Sequence, residues 1–357
     1  MIGKSLGLVC LLTAAALAQD LPLAQDLPLN WQQLAKVPER NGLASAFCGT
    51  QGSTLLFGGG ANFPDRLPWE GGSKVWHDRV WALEKPEAAW REVGRLPRAL
   101  AYGVTLSTAD AVICVGGSDA ERHYADVFEM KLRDARMEFK TLPSLPKPVA
   151  NACGALIETT IYIAGGIESP QATNTLKTFY ALDLDDISDG WRQLEPWPGA
   201  GRMLAVSAVQ NGCFFLMSGS DLSADAEGKP MRRYLNDCYR FDPKVGWRQI
   251  ADIPRAAVAA PSPAPTVGAS QFLVIGGDDG SRIGFQPVQD HPGFSNEVLS
   301  YNAVNNKWTL VGYTPAPRVT APVVQWGKNW LILSGEQRPG VRSPEVWSFQ
   351  PELIDKH

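Results

Sequence analysis

Six apolar runs in this chain of 357 residues each end in a pair of small residues: LLFGGG (through Gly60), VICVGG (Gly117), IYIAGG (Gly166), FFLMSGS (Ser218-Gly219), FLVIGG (Gly277) and LILSGE (Ser334-Gly335). The pairs recur at intervals of roughly 50 residues. A variable loop follows each pair, and then a second strand-like run: RVWALE from Arg79, DVFEMKL from Asp126, KTFYALDL from Lys177, DCYRFDP from Asp237, EVLSYN from Glu297 and EVWSF from Glu345. An aromatic strand and a proline turn come next, as in WREVGRLPR at Trp90, FKTLPSLPK at Phe139, WRQLEPWPG at Trp191, WRQIADIPR at Trp247 and WTLVGYTPAPR at Trp308. Apolar positions alternate within these runs, and no segment sustains a helical period. One such unit cannot bury a core by itself, so the units must stack.

The sixth aromatic strand is missing after EVWSF and turns up at the other end, as NWQQLAKVPER from Asn30 to Arg40. The N-terminal segment is therefore expected to supply the outermost strand of the unit formed last, which closes a ring and removes an exposed sheet edge. Six four-stranded units with small-residue pairs and a late aromatic resemble kelch repeats. That resemblance implies an all-β, six-bladed kelch-type β-propeller. The glycine pairs are expected where strands crowd the channel and a side chain would strike the neighbouring blade. A phosphate loop at Gly58-Gly59-Gly60 is disfavoured, because no helix follows it.

Outside the repeats, residues 1–18 read as a secretory signal: Lys4, an apolar run from Leu6 to Ala15, and the cleavage site Ala16-Leu17-Ala18. The near-duplicate QDLPLAQDLPL makes 19–29 a spacer, leaving 30–357 as a single propeller domain. The chain is expected to be exported, to the periplasm or beyond it. Lys plus Arg number 33 against 37 Asp plus Glu, and no basic block stands out. Nucleic acid and membrane are thus not expected as partners. Cys48, Cys114, Cys153, Cys213 and Cys238 each lie in an apolar run and read as small core residues, with a cross-strand Cys213–Cys238 bond as the alternative. The four histidines, at 77, 123, 291 and 357, have no metal-ligand spacing, so neither a metal nor a redox cofactor is expected. His77 and His123 lie on loops.

Two loop sets are expected to share one mouth of the channel: those after the small-residue pairs and those after the proline turns. The first set offers Ala61-Asn62-Phe63, Ser118-Asp119, the Asp278 to Pro292 excursion and Glu336 to Arg342; the second offers Arg40-Asn41, Arg98 with Tyr102, Arg202, Arg255 and Arg318. A ring of arginines there would favour an anionic ligand, although such residues also serve to tie blades together. Glu336 replaces a glycine-pair context found in the other loops, and a channel-facing carboxylate needs a partner. Arg338 or Arg342 can pair with it. Alternatively Glu336 performs general acid–base work while Arg342 holds a substrate carboxylate. A non-catalytic module binding a sugar or protein, and a glycosidase with a second carboxylate, remain rival readings.

At GEQRPGVR (Gly335 to Arg342), GGGANF (Gly58 to Phe63) and RALAYGV (Arg98 to Val104), the chain resembles the kelch-type sialic acid mutarotases, the N-acetylneuraminate epimerases, in a cyclically permuted form. The resemblance spans essentially the whole chain after the signal. It implies that Glu336 is the acid–base residue and Arg342 its partner at the substrate; Arg338, Asn62, Arg40, Arg98, Tyr102 and Arg318 are expected around them from their place in the loops at the mouth. It also implies a small-molecule sugar acid as substrate, interconverted between α and β anomers without a cofactor. One departure is visible: the family's arginine before the AYG segment is Leu100 here, with Arg98 two residues earlier.

Overall fold

In the computed structural model, which describes residues 28–351, the chain forms six antiparallel four-stranded sheets arranged as the blades of a propeller. The signal, and the spacer up to residue 27, lie outside the described residues. Blade I comprises Phe47–Gln51, Thr54–Gly58, Arg79–Leu83 and Arg91–Arg95. Blades II to V repeat this plan with first strands beginning at Val104, Cys153, Val206 and Thr266. The first strand of blade V is cut to Thr266–Val267, preceded by Pro261, Pro263 and Pro265, which cannot donate to a ladder. Blade VI takes Val323–Trp326, Asn329–Leu333 and Val346–Phe349 from the end of the chain and Gln32–Leu34 from its beginning. The expected closure is present: Gln32 pairs with Ser348 and Leu34 with Val346. Trp31 packs on Phe349 with ring centroids 4.4 Å apart.

Apolar clusters fill the spaces between consecutive blades, so each blade buries both faces. Phe47, Leu56, Val112 and Cys114 join blades I and II, for example, while Leu55, Phe57, Val324 and Leu331 join blades VI and I. The recurring late tryptophans have a polar task as well. The indole N–H of Trp90, Trp191, Trp247 and Trp308 donates to the carbonyls of Ala35, Pro143, Glu195 and Ala251, in each case on the preceding blade. An aromatic at that position therefore locks neighbours together as well as burying area.

At the channel wall the six blades are joined by a closed hoop of backbone hydrogen bonds. Tyr102 N–H donates to Ser45, Asn151 to Tyr102, Leu204 to Asn151, Ala259 to Leu204, Thr320 to Ala259 and Ser45 to Thr320, at 2.7 to 3.1 Å. All six residues hold left-handed backbone, with φ from 48° to 63°, and none is glycine. Such a conformation is uncommon, and for a β-branched residue such as Thr320 it is an outlier that the surroundings must impose. One residue before each hoop member, Ala44, Ala101, Ala150, Met203, Val258 and Val319 bridge to Ala61, Ser118, Ile167, Ser220, Asp278 and Glu336. These bridges bring the two loop sets to one end of the channel, as their order in the sequence suggested. Crowding explains the glycine pairs too: a Cβ on Gly59 would stand 2.5 Å from the Leu100 carbonyl of the turn into the next blade.

Among the described residues the five cysteines are free and buried. A Cys213–Cys238 bond is ruled out by register: Cys238 lies opposite Met217, four residues along the strand from Cys213, a separation of about 13 Å. Burial raises the thiols of Cys153 and Cys238 to about 12, which leaves them inert core residues.

Candidate active site at the channel mouth

Glu336 opens a two-stranded hairpin, Glu336–Arg338 with Val341–Arg342, in which Glu336 and Arg342 are directly opposite. Cross-strand placement brings the side chains together: Arg342 Nη2 lies 3.2 Å from Glu336 Oε2, and the Gly340 N–H donates to Oε1 at 2.8 Å. The arginine side chain is only 4% exposed, and its Nε and Nη1 are buried without an acceptor among the described residues. Its guanidinium sits 4.8 Å above the Phe63 ring, contributed by blade I. Beside it opens a cleft of about 620 Å³, bounded by the 39–41 turn, Phe63 to Leu67, and Gly340 to Arg342. That volume is of ligand size, whereas the channel at the hoop holds about 100 Å³ and is too narrow for a sugar.

Arg40, expected at the mouth, lines this cleft and is exposed. Tyr102 is a hoop member whose hydroxyl accepts from Lys74 Nζ at 3.3 Å. Arg338 faces the neighbouring loop, donating to the Gln289 carbonyl at 2.8 Å. Other expected ligands have different tasks. Asn62 is fully buried; its amide donates to the Gly42 carbonyl, so its oxygen accepts from His77 Nε2 at 2.8 Å. With both ends engaged, Asn62 fixes the N-terminal turn against the blade I loop rather than reaching a ligand. Burial, the largest influence, holds His77 below its ordinary range and hence neutral.

The arginine ring also requires correction. Arg318 pairs with Glu345 at 2.5 Å and donates to the Ser334 and Ser343 carbonyls. Arg202 does the same with Asp237 at 2.7 Å and with Ser218. Arg255 pairs with Glu297 at 2.5 Å, and Arg98 with Asp126 at 2.8 Å while covering the Tyr124 ring. Each acid opens the third strand of the blade that its arginine precedes, so these guanidiniums are struts with their charge already matched. Against the penalty of burial, the strut charges and hydrogen bonds hold the Asp237 and Glu345 carboxyls below the ordinary range. Arg98 and Arg318 are thereby removed from the expected ligand set.

Sequence reasoning put Asp278 in a loop at the mouth without singling it out, and it missed Lys74. Asp278 bridges to Val258 as Glu336 bridges to Val319, one blade away, and accepts from the Tyr234 hydroxyl at 2.5 Å. Aligning the residue after each small-residue pair (Ala61, Ser118, Ile167, Ser220, Asp278, Glu336) would have revealed it. Lys74 lies in a loop of no repeating length and left no such signal. Among the described residues no His, Cys, Asp and Glu side chains group as a metal-ligand set.

Six kelch-type blades with a carboxylate–guanidinium pair at one mouth define a class of small-ligand propellers built on a closed ring. The chain matches the N-acetylneuraminate epimerase family over residues 12–139 and 142–283, more than half its length, and belongs to that family. It is 27% identical to an N-acetylneuraminate epimerase of Yersinia pestis (strain Pestoides F) over 231 residues, 57% of this chain and 56% of the relative. A protein of the same name from Haemophilus influenzae (strain PittEE) is 27% identical over 230 residues, 58% of each. The match thus spans little more than half the length of these curated relatives. Glu336 and Arg342 lie beyond the family-matched segments.

Proposed function

We propose that this protein is an exported mutarotase that interconverts the α and β anomers of N-acetylneuraminic acid or a closely related sugar acid. The observation that carries the proposal is the Glu336–Arg342 pair. One carboxylate is held at the mouth by a backbone N–H and a buried guanidinium, beside a cleft of sugar size. Mutarotation asks little more than a proton taken from the anomeric hydroxyl and a proton returned to the ring oxygen, after which the open-chain keto form recloses on either face. Glu336 is suited to that shuttle because Arg342 and the Gly340 N–H fix its orientation. Arg342 lines the cleft together with Gly340, whose N–H holds Glu336, so the pair stands at the edge of the space a sugar would fill. The names of the relatives support sialic acid as the sugar, and residues 1–18 support export.

The test is proton NMR of the H3 signals of N-acetylneuraminate freshly released as the α anomer, at low temperature, with catalytic amounts of protein. The parent should speed α-to-β equilibration. Glu336→Gln and Arg342→Ala should each lower the catalysed rate by about a hundredfold or more while the fold persists. Decay in the parent that matches the protein-free control would refute the proposal.

A further inference from the structure

The blade I hairpin that presents Phe63 to Arg342 also carries a cation outside any ion pair among the described residues. Ala61–Asn62 pairs with Val75–Trp76, Asn62 opposite Val75, and one further step in that register sets Phe63 opposite Lys74. The two residues face different neighbours. Phe63 lies against Arg342 from blade VI. Lys74 Nζ lies 5.4 Å from the Trp76 ring centroid, 5.3 Å from that of Tyr102, and 3.3 Å from the Tyr102 hydroxyl. No ion pair among the described residues engages Lys74. Its one hydrogen bond is long, so an ammonium able to make three is left with most of its capacity unused.

Arg40 and Arg338 also stand at this mouth outside any ion pair among the described residues, and Lys74 differs from them in its seat on Trp76 and Tyr102. Arg342 is matched by Glu336, so the pair presents no net charge to an entering anion. The struts are matched as well. On the blade V side stands Asp278, a carboxylate bonded to a neutral tyrosine hydroxyl. Asp278 thus stands on the blade V side of the Glu336–Arg342 pair and Lys74 on the blade I side. We propose that Lys74, steadied by Tyr102 and Trp76, is the anchor for the substrate's carboxylate and makes the site selective for sugar acids over neutral sugars. This rests on the mutarotase reading for the identity of the sugar. An anion held there is kept on the opposite side of Glu336 from Asp278, so the catalytic carboxylate need not share its cation with the substrate. The aromatic faces serve the ammonium directly, by attracting the cation and limiting its rotamers.

The test compares binding of N-acetylneuraminate with binding of its methyl ester, which differ in that one charge, by calorimetry on the full chain. The parent should prefer the acid. Lys74→Met should weaken the acid by roughly ten- to a hundredfold and leave the ester where it was, and Lys74→Arg should restore most of the preference. In the NMR exchange assay the Lys74→Met defect should appear as a raised KM, overcome at high substrate. An unchanged acid-to-ester ratio in Lys74→Met, an equal loss for both ligands, or a parent with no preference for the acid would each overturn the proposal. Because the comparison needs no turnover, a parent that binds the acid without speeding exchange would sink the mutarotase reading while the Lys74 result still stood on its own.

Discussion

Leu100 shows how much a single position conveys. It stands immediately before the bridging residue Ala101, the place that Arg202 and Arg318 occupy before Met203 and Val319. Here that place is part of the apolar core between blades I and II, and Arg98 reaches Asp126 from two residues earlier. The missing arginine is thus a rerouted strut. The recurring arginines were plain in the sequence, and so were the acids that open the third strands, Asp126, Asp237, Glu297 and Glu345. What was not legible was their pairing, because partners 27 to 42 residues apart meet only once the blades are formed. Glu336 and Arg342 were legible because one hairpin joins them. Arg318→Met should cost about 3 kcal/mol in urea unfolding, since it strands Glu345 without its partner. Adding Glu345→Gln should recover part of that loss. A single variant as stable as the parent would show that the strut contributes nothing.

At the scale of elements, the loops carry what the repeats cannot. The short helix Pro68–Glu70, from the blade I loop, packs against the Glu336 hairpin at its tightest point. A Cβ on Gly340 would meet Pro68 at 3.0 Å and Trp69 at 3.1 Å, and its φ of 80° suits glycine alone. The Gly340 N–H also holds Glu336. Gly340→Ala should therefore cost about 1–2 kcal/mol of stability and slow exchange together, a coupling read by running denaturation and NMR on the same sample. Full exchange activity in a destabilised Gly340→Ala would mean that this contact does not position the carboxylate. Loop contacts of this kind have no period, which is why Lys74 and this packing escaped the sequence while all six blades did not.

For the whole molecule, closure of blade VI by Gln32–Leu34 places the two described ends side by side, with Leu29 bridged to Pro351. A chain joined there by a short linker and reopened between Lys244 and Val245, in an exposed hairpin of blade IV, would again close one blade from both ends. It should keep its near-UV circular dichroism and unfold cooperatively within about 1 kcal/mol of the parent; loss of cooperativity would show that the present opening is privileged. The hoop of hydrogen bonds bears on the channel in another way. Its six donors all point the same way round, from each blade to the one before. The peptide dipoles follow one another in a circle, so their vectors cancel. A helix aims the sum of its dipoles out of one end, whereas this arrangement circulates and projects no field along the axis. The hoop itself thus favours neither charge, and the preference of the mouth for one charge over another falls to the groups on the loops around it.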